Sequence, residues 1–360
     1  MALLLLEING LRNLSSASLS PASGINLLFG DNGSGKTTVL EAIYLLGMAR
    51  SFRSQQLRSY LQIGAECLTI FGQVETAAST YSLGIKKQFS NTTTIKFNGQ
   101  RQASSSVLAG ALPLQLLTPE SHQLLSGEPR ERRSYMDWGL FHVEHAFLEL
   151  SKTYRRLLQQ RNATLRENHH IKELSYWDYK LAEIGEVISA QREKYLELVT
   201  PLFNHFYELL LDNVPPSLVY RRGWSKGVSL LEVLQRNHTT EQAAGYTMQG
   251  PHRADFRLID LNGLNAVDVF SRGQQKLAVC ALRLAQMQHM QDVNGLVCTL
   301  LLDDLPAELD VQHRQLLMQA INKTGAQCFV TATSAELLDL SAWEKLTVFH
   351  VEHGAVIKVV

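Results

Sequence analysis

The sequence predicts an α/β protein: a head built on a glycine-rich P-loop and a mixed sheet with an antiparallel β patch, interrupted by an inserted antiparallel helical arm. Three observations carry this. "LLFGDNGSGKTTVLEAIYLLG" at 28–48 runs from an apolar strand through a glycine-rich turn into a helix. "LVCTLLLDD", ending at Asp304, is a buried strand closed by acid. Between them, residues 129 to 211 lose the strand signals and repeat their apolar residues at threes and fours.

Element by element, residues 2–30 read as two strands, the second being "GINLLFG". A helix follows from about Lys36. From 66 to 98 the pattern alternates in "ECLTIFGQVE", "STYSLGIKK" and "TTTIKFNG", an antiparallel meander with Asn98-Gly99 as a turn. "LPLQLLTPE" adds a short strand ending in Pro119. Phe147, Leu150, Tyr154, Leu157 and Leu158 form one helical stripe, and Trp177, Leu181, Ile184, Ile188 and Tyr195 a second. The polar "ENHHIKELS" between them lets the two face each other. "LVYRRGW", "ADFRLID" and the hairpin "LNGLN" restore strands, and 271–360 alternates helix and strand. Residues 1–128 and 246–360 are thus read as the two parts of the head, and 129–245 as the arm.

Composition sets the limits. The chain has 360 residues, 45% of them hydrophobic, enough for a large core and against disorder. Its 34 basic and 34 acidic residues cancel, so a polyanion must be met by a local basic surface. Cys67, Cys280, Cys298 and Cys328 lack CxxC spacing and read as free buried thiols in a reducing cytoplasm rather than disulfides or zinc ligands. "MALLLLEING" lacks a basic start and reads as a buried strand, not a signal peptide. No apolar run is long enough for a bilayer, so a soluble, cytoplasmic protein is expected.

Gly30-Asp31-Asn32-Gly33-Ser34-Gly35-Lys36-Thr37 fits G-x-x-x-x-G-K-[ST] in the strand-to-helix setting that motif requires. Its glycines let successive N–H groups turn inward to phosphate oxygens, with Thr38 next in the helix. Lys36 would neutralise the β and γ phosphates and Thr37 would hold Mg²⁺, making ATP with Mg²⁺ the expected ligand. Asp303 would orient Mg²⁺ through water and Asp304 would face the attacking water, which makes Asp304 and Lys36 the candidate catalytic residues.

Ser271-Arg272-Gly273-Gln274-Gln275 opens a long helix before "LLLDD". That is the pattern of ABC-type ATPases: a hydroxyl, a bare backbone and an amide at a positive helix end form a second γ-phosphate clamp. Such a clamp generally closes on a second subunit's ATP, so a head-to-tail homodimer is expected. The fold is accordingly an ABC-type ATPase head.

The chain resembles the RecF family of bacterial recombination mediators across essentially its whole length. The carriers are "GDNGSGKTTVLEAIYLLG", "LTPESHQLLSGEPRERRSYMDWGLFH", "GPHRAD", "SRGQQK" and "LLLDDLPAELD". The resemblance implies ATP-dependent dimerisation on DNA, single- or double-stranded, and weak ATP hydrolysis used as a switch. It further implies RecA loading at single-strand gaps with RecR and RecO, replication restart and SOS induction. Three departures matter. Asp304 stands where ABC ATPases usually carry glutamate, Thr331 or Thr333 where transporters carry histidine, and Ala254 where many relatives have a second acid. The first two point to a slow switch.

Two acid-free groups are candidate DNA contacts: Arg50, Arg53 and Arg58, and, within 150–166, Lys152, Arg155, Arg156, Arg161 and Arg166. Either group also reads as an ordinary solvated face. Arg130, Arg132 and Arg133, interleaved with Glu128 and Glu131, equally suit internal salt bridges. "FHVEH" places His142 and His145 on one helix face, and with His169, His170 and His252 it invites a metal check, though no third ligand lies at helical reach. Trp138, Trp177 and Trp224 read as packing. A transporter's nucleotide-binding subunit is the main rival, but it would not carry a helical hairpin before the Ser271 motif. A chromosome-organising head would carry a far longer arm.

Overall fold

A computed structural model describes residues 1–90, 92–167, 171–304 and 308–359. The chain divides into two compact units, Met1–Ser121 with Asn294–Val360, and His122–Val293.

The first unit starts with β1 (Ala2–Leu11), β2 (Leu14–Leu19) and β3 (Ile25–Phe29). Three strands stand where two were expected, because Arg12, left-handed at φ 48°, reverses the chain between β1 and β2. Helix α1 (Lys36–Met48) follows, then β4 (Cys67–Glu75), β5 (Thr80–Gln88), β6 (Thr93–Phe97), β7 (Gln100–Gln102), α2 (Ser106–Ala111) and β8 (Leu114–Leu117). Asn98 and Gly99, both at positive φ, make the tight turn between β6 and β7.

The second unit holds α3 (Gln123–Ser126), α4 (Pro129–Val143), α5 (Phe147–Arg166), α6 (Ile171–Leu211), β9 (Ser217–Arg221), α7 (Leu230–Arg236), α8 (His238–Ala244), β10 (Asp255–Ile259), α9 (Ala266–Val269) and α10 (Arg272–Asn294). The chain then re-enters the first unit with β11 (Thr299–Leu302), α11 (Val311–Lys323), β12 (Gln327–Ala332), β13 (Leu346–Glu352) and β14 (Ala355–Lys358).

Two six-stranded sheets build the first unit. One is antiparallel, in the order β2-β1-β4-β5-β6-β7. The other runs β14-β13-β3-β12-β11-β8, parallel throughout except for its edge strand β14. Helix α1 packs on strands of both sheets. It is therefore buried on nearly every side rather than along one stripe, as for a helix inside a core. Gly47 permits this, since a Cβ there would lie 2.5 Å from Leu114 Cδ1.

In the second unit α5 and α6 lie antiparallel: Arg161 pairs with Asp178, and Tyr154 lies against Gly185. Phe147, Tyr154, Leu181, Ile188 and Tyr195 of the two predicted stripes are buried. Residues 168–170 of the turn between them, including His169 and His170, lie outside the described residues. The sequence placed 246–293 with the head, whereas the structure groups them with the helices. The reason is pairing: β10 is bound to β9, and Asp255 is held by Arg132 of α4.

Candidate functional site

The P-loop follows β3 and opens α1. Gly30, Gly33 and Gly35 have φ of 148°, 82° and 122°, which L side chains rarely adopt. At Gly30 a Cβ would lie 2.2 Å from the Val351 carbonyl, so the loop also has no room for one there. Lys36 folds back beneath the loop, its ammonium donating to the carbonyls of Gly30 at 2.7 Å and Asp31 at 2.9 Å. The buried Ser34 Oγ has no hydrogen-bond partner among the described residues.

Motif reading passed over the residue that fastens this loop. Asn13, in the β1–β2 turn, donates from Nδ2 to the Ser34 carbonyl at 2.9 Å and accepts from Thr38 Oγ1 at 3.2 Å. Its neighbour Arg12 forms a salt bridge with the fully buried Glu41 of α1, which also accepts from Ser51 Oγ. Ser51 Oγ in turn accepts from the amides of Arg53 and Ser54 at 3.0 and 3.1 Å. The only sequence signal was a polar Arg-Asn pair directly after the apolar first strand.

The acid end of β11 meets the loop. Thr37 Oγ1 donates to Asp303 Oδ1 at 2.8 Å, joining residues 266 positions apart. β11 lies beside β12, and Thr331 of β12 receives the Asp304 amide at 2.8 Å. The Thr331 hydroxyl lies 3.1 Å from both Asp303 Oδ1 and Asp304 Oδ1, so its one proton is shared between two carboxylates. Of Thr331 and Thr333, Thr331 is thus the residue at the acids; Thr333 lines a cavity of about 400 Å³ beside Gly30–Ser34. Burial raises the Asp303 pKa, Asp304 raises it further, and the hydrogen bonds from Thr37 and Thr331 oppose the rise. Asp304 itself is left-handed, at φ 49°. Leu305–Ala307 of the "LLLDDLPAELD" segment lie outside the described residues.

Ser271 heads α10 in a reciprocal capping box. The Gln274 amide donates to Ser271 Oγ at 3.2 Å and the Ser271 amide to Gln274 Oε1 at 2.9 Å. Ser271, Arg272, Gly273 and Gln274 are exposed at this helix end. Gln275 is turned inward: its amide donates to the carbonyls of Phe270 and Val267, so it braces the preceding loop instead of facing outward.

The basic groups separate sharply. Arg50, Arg53 and Arg58 are exposed, with Arg58 stacked 4.6 Å over the Phe89 ring. Arg155, Arg156 and Arg166 are exposed, and Lys152 pairs with Glu149. Arg161 must be withdrawn as a DNA contact. It is fully buried, donating to Asp178, Glu241 and Thr247, and a guanidinium so enclosed cannot reach a phosphate. Arg132 holds Asp255 and Arg133 donates to the Ala254 carbonyl, so both brace the unit's interior. His142 and His145 share no helix face, because α4 ends at Val143. Among the described residues no group of three or more His, Cys, Asp or Glu could hold a metal, and no helix is long and apolar enough to cross a membrane. All four cysteines are free; Cys280, Cys298 and Cys328 are buried as expected, whereas Cys67, at the start of β4, is only half-buried.

With this geometry in hand, the chain can be set beside known proteins. The model of the RecF/RecN/SMC N terminal domain matches residues 2–357. A DNA replication and repair protein RecF of Pseudomonas aeruginosa (strain LESB58) is 43% identical over 361 residues, covering 99% of this chain and 97% of the relative. One from Shewanella piezotolerans is 40% identical over 357 residues, covering 99% of both. A solved structure of the recombination mediator protein RecF-ATP in the RecFOR pathway superposes with a TM-score of 0.88 at 27% identity, covering 100% of this chain and 98% of that one. An Smc head bound to the C-winged helix domain of ScpA, 13% identical with a TM-score of 0.63 and covering 100% and 97%, shares the fold. The resemblance read from the motifs and the head fold are both borne out.

Proposed function

The chain belongs to the RecF family, whose members carry the RecF/RecN/SMC N terminal domain, and on that premise we propose that it is an ATP-dependent DNA-binding switch of recombinational repair. The observation that carries the reading is the 2.8 Å contact between Thr37 Oγ1 and Asp303 Oδ1. It brings a P-loop hydroxyl and a strand-end carboxylate together, two hard oxygen donors of the kind that hold Mg²⁺ beside a nucleotide triphosphate.

In this reading Gly30 to Thr38 cradle the phosphates, and Lys36 exchanges its loop carbonyls for the β and γ oxygens. Thr37 and Asp303 hold Mg²⁺, which when bound neutralises charge on those oxygens. Asp304 orients the attacking water, with Thr331 fixing the carboxylate through its shared proton. Aspartate is one methylene shorter than glutamate and threonine cannot relay a proton as histidine does, so turnover is slow. Ser271 to Gln274 of a second copy cover the γ-phosphate, while Gln275 supports them from behind. ATP binding thereby reports that two subunits have met.

The wider role proposed is the one the resemblance implies: repair of single-strand gaps, replication restart and SOS induction, by assisting RecA with RecR and RecO. Support comes from relatives named as DNA replication and repair proteins and from a RecF-ATP structure in the RecFOR pathway. Sedimentation with gapped, duplex and single-stranded DNA, each with ATP, ADP or no nucleotide, tests it. Dimerisation and retention on DNA are expected to require ATP. Retention indifferent to nucleotide, or none at all, would refute the switch.

A further inference from the structure

Between Glu41 and Glu120 the only acids are Glu66 and Glu75, against seven bases: Arg50, Arg53, Arg58, Lys86, Lys87, Lys96 and Arg101. Strand register decides where three of these go. In β5 the buried Leu83 and Ile85 face the core, so Lys86 points outward; in β6 the buried Ile95 does the same for Lys96. Lys96 stands directly opposite Arg101 of β7, and Lys86 stands opposite Thr94, which sets Lys86 diagonal to Lys96. All three are exposed, and none makes an ion pair among the described residues.

Like charges opposed across a strand pair destabilise a sheet. Along their row of the sheet no acid stands close: through Gly84 and Phe71, the first is Glu7 of β1. At about 4.8 Å per strand it stands roughly 14 Å from Lys96, beyond the screening length of about 8 Å at physiological salt. Gly84, between Phe71 and Lys96, leaves the floor of this face without a side chain.

Resting on the reading of the chain as DNA-binding, we propose that the outward face of β5, β6 and β7 is a contact for the backbone of duplex DNA, with Lys86, Lys96 and Arg101 on its phosphates. Cations about 5 Å apart across the strands and 7–8 Å diagonally form a compact group. A duplex supplies one charge per about 1.7 Å of its axis, twice the density of a single strand, and so meets all three at once. A single-strand site needs open aromatic platforms. Here Phe71 is half-buried, and the ring of the nearby exposed Phe89 is already covered by Arg58.

The test uses the full chain with Lys86→Gln, Lys96→Gln and Arg101→Gln combined, titrated by fluorescence anisotropy against a duplex and a single strand of equal length, with ATP, over a series of salt concentrations. Duplex affinity is expected to fall about tenfold or more, and the slope of log K against log salt to lose about 2 to 3, near 0.9 per phosphate contact. Single-strand binding and ATP-induced dimerisation should stay at the parent's level. Parent-like duplex affinity and slope overturn the proposal, as does a loss confined to single strands. Should the triple variant fail to dimerise, Arg101→Gln alone decides, by a slope change of about one or none. A parent that binds no DNA sinks the DNA-binding reading itself, whereas a binding parent matched by the variant sinks only this face.

Discussion

Asp303 shows how a single residue can be placed against its own stability. Burial and Asp304 raise its pKa, while Thr37 and Thr331 donate hydrogen bonds that only partly compensate. With the folded value above the unfolded one, the folded state holds the proton more tightly. The charged form therefore costs stability near neutral pH, and the cost disappears as pH falls below the unfolded value. Asp303→Asn is expected to raise the nucleotide-free thermal midpoint and to abolish the stimulation of turnover by Mg²⁺. Asp304→Asn should retain ATP and slow turnover by about 10²- to 10⁴-fold. An unchanged midpoint in Asp303→Asn, or parent-like turnover in Asp304→Asn, would contradict these assignments. The loop of Gly30 to Thr37 was legible because a P-loop is a local device of glycines and one lysine. Arg161 was not, since its carboxylates come from Asp178 and Glu241, 17 and 80 positions further on.

Among the elements, the short turn "GPHRAD" gathers the second unit. Gly250 sits at φ 137°, where a Cβ would lie 2.8 Å from the Tyr154 hydroxyl. A carbonyl only accepts, so His252 Nε2–H donates to the Thr247 carbonyl at 3.1 Å and Nδ1 is left to accept from the Tyr154 hydroxyl at 2.8 Å. Arg192 of α6 donates to the Pro251 carbonyl at 2.6 Å. Burial lowers the His252 pKa to about 4, and the same cause lowers that of His142 in α4 to about 4. Both fold as neutral rings. Between an unfolded value of about 6.5 and this folded one the unfolded chain binds more protons, so stability falls as pH falls through that window. Each ring should cost about 2–3 kcal/mol of stability on going from pH 7 to about 4.5. Urea unfolding at a series of pH values measures it, and His252→Gln should flatten part of the slope. A parent whose stability is level from pH 7 to 4.5 would show that these rings are not buried neutral.

For the molecule as a whole, the phosphate loop belongs to one compact unit and the Ser271 motif to the other, and both sit in every chain. Ser271→Arg puts a bulky cation where a partner's γ-phosphate is proposed to lie, leaving Gly30 to Thr37 untouched. It also removes a helix cap worth about 1 kcal/mol, too little to unfold a domain. ATP should still bind, while dimerisation, turnover and nucleotide-stabilised DNA binding are lost together. Mixed with Lys36→Ala, it should restore at most one composite site per dimer. Analytical ultracentrifugation with a turnover assay decides: normal hydrolysis by a Ser271→Arg monomer would exclude a shared site.

By itself the sequence determined the P-loop, the acid-ended strand, the meander with its Asn98-Gly99 turn and the helical hairpin. Each follows from backbone preferences and side-chain periodicity acting over about ten residues. Only the tertiary structure decided which cations remain free. Arg161 and Arg132 look like their neighbours in sequence, yet desolvation at their sites demands carboxylate partners, and these arrive from distant segments. Lys86, Lys96 and Arg101 look scattered, yet strand register sets them side by side without an acid. The division of the chain was settled the same way: within residues 246–293, β10 pairs with β9 and Asp255 with Arg132 of α4, and charge and strand pairing across such separations leave no local trace in the sequence.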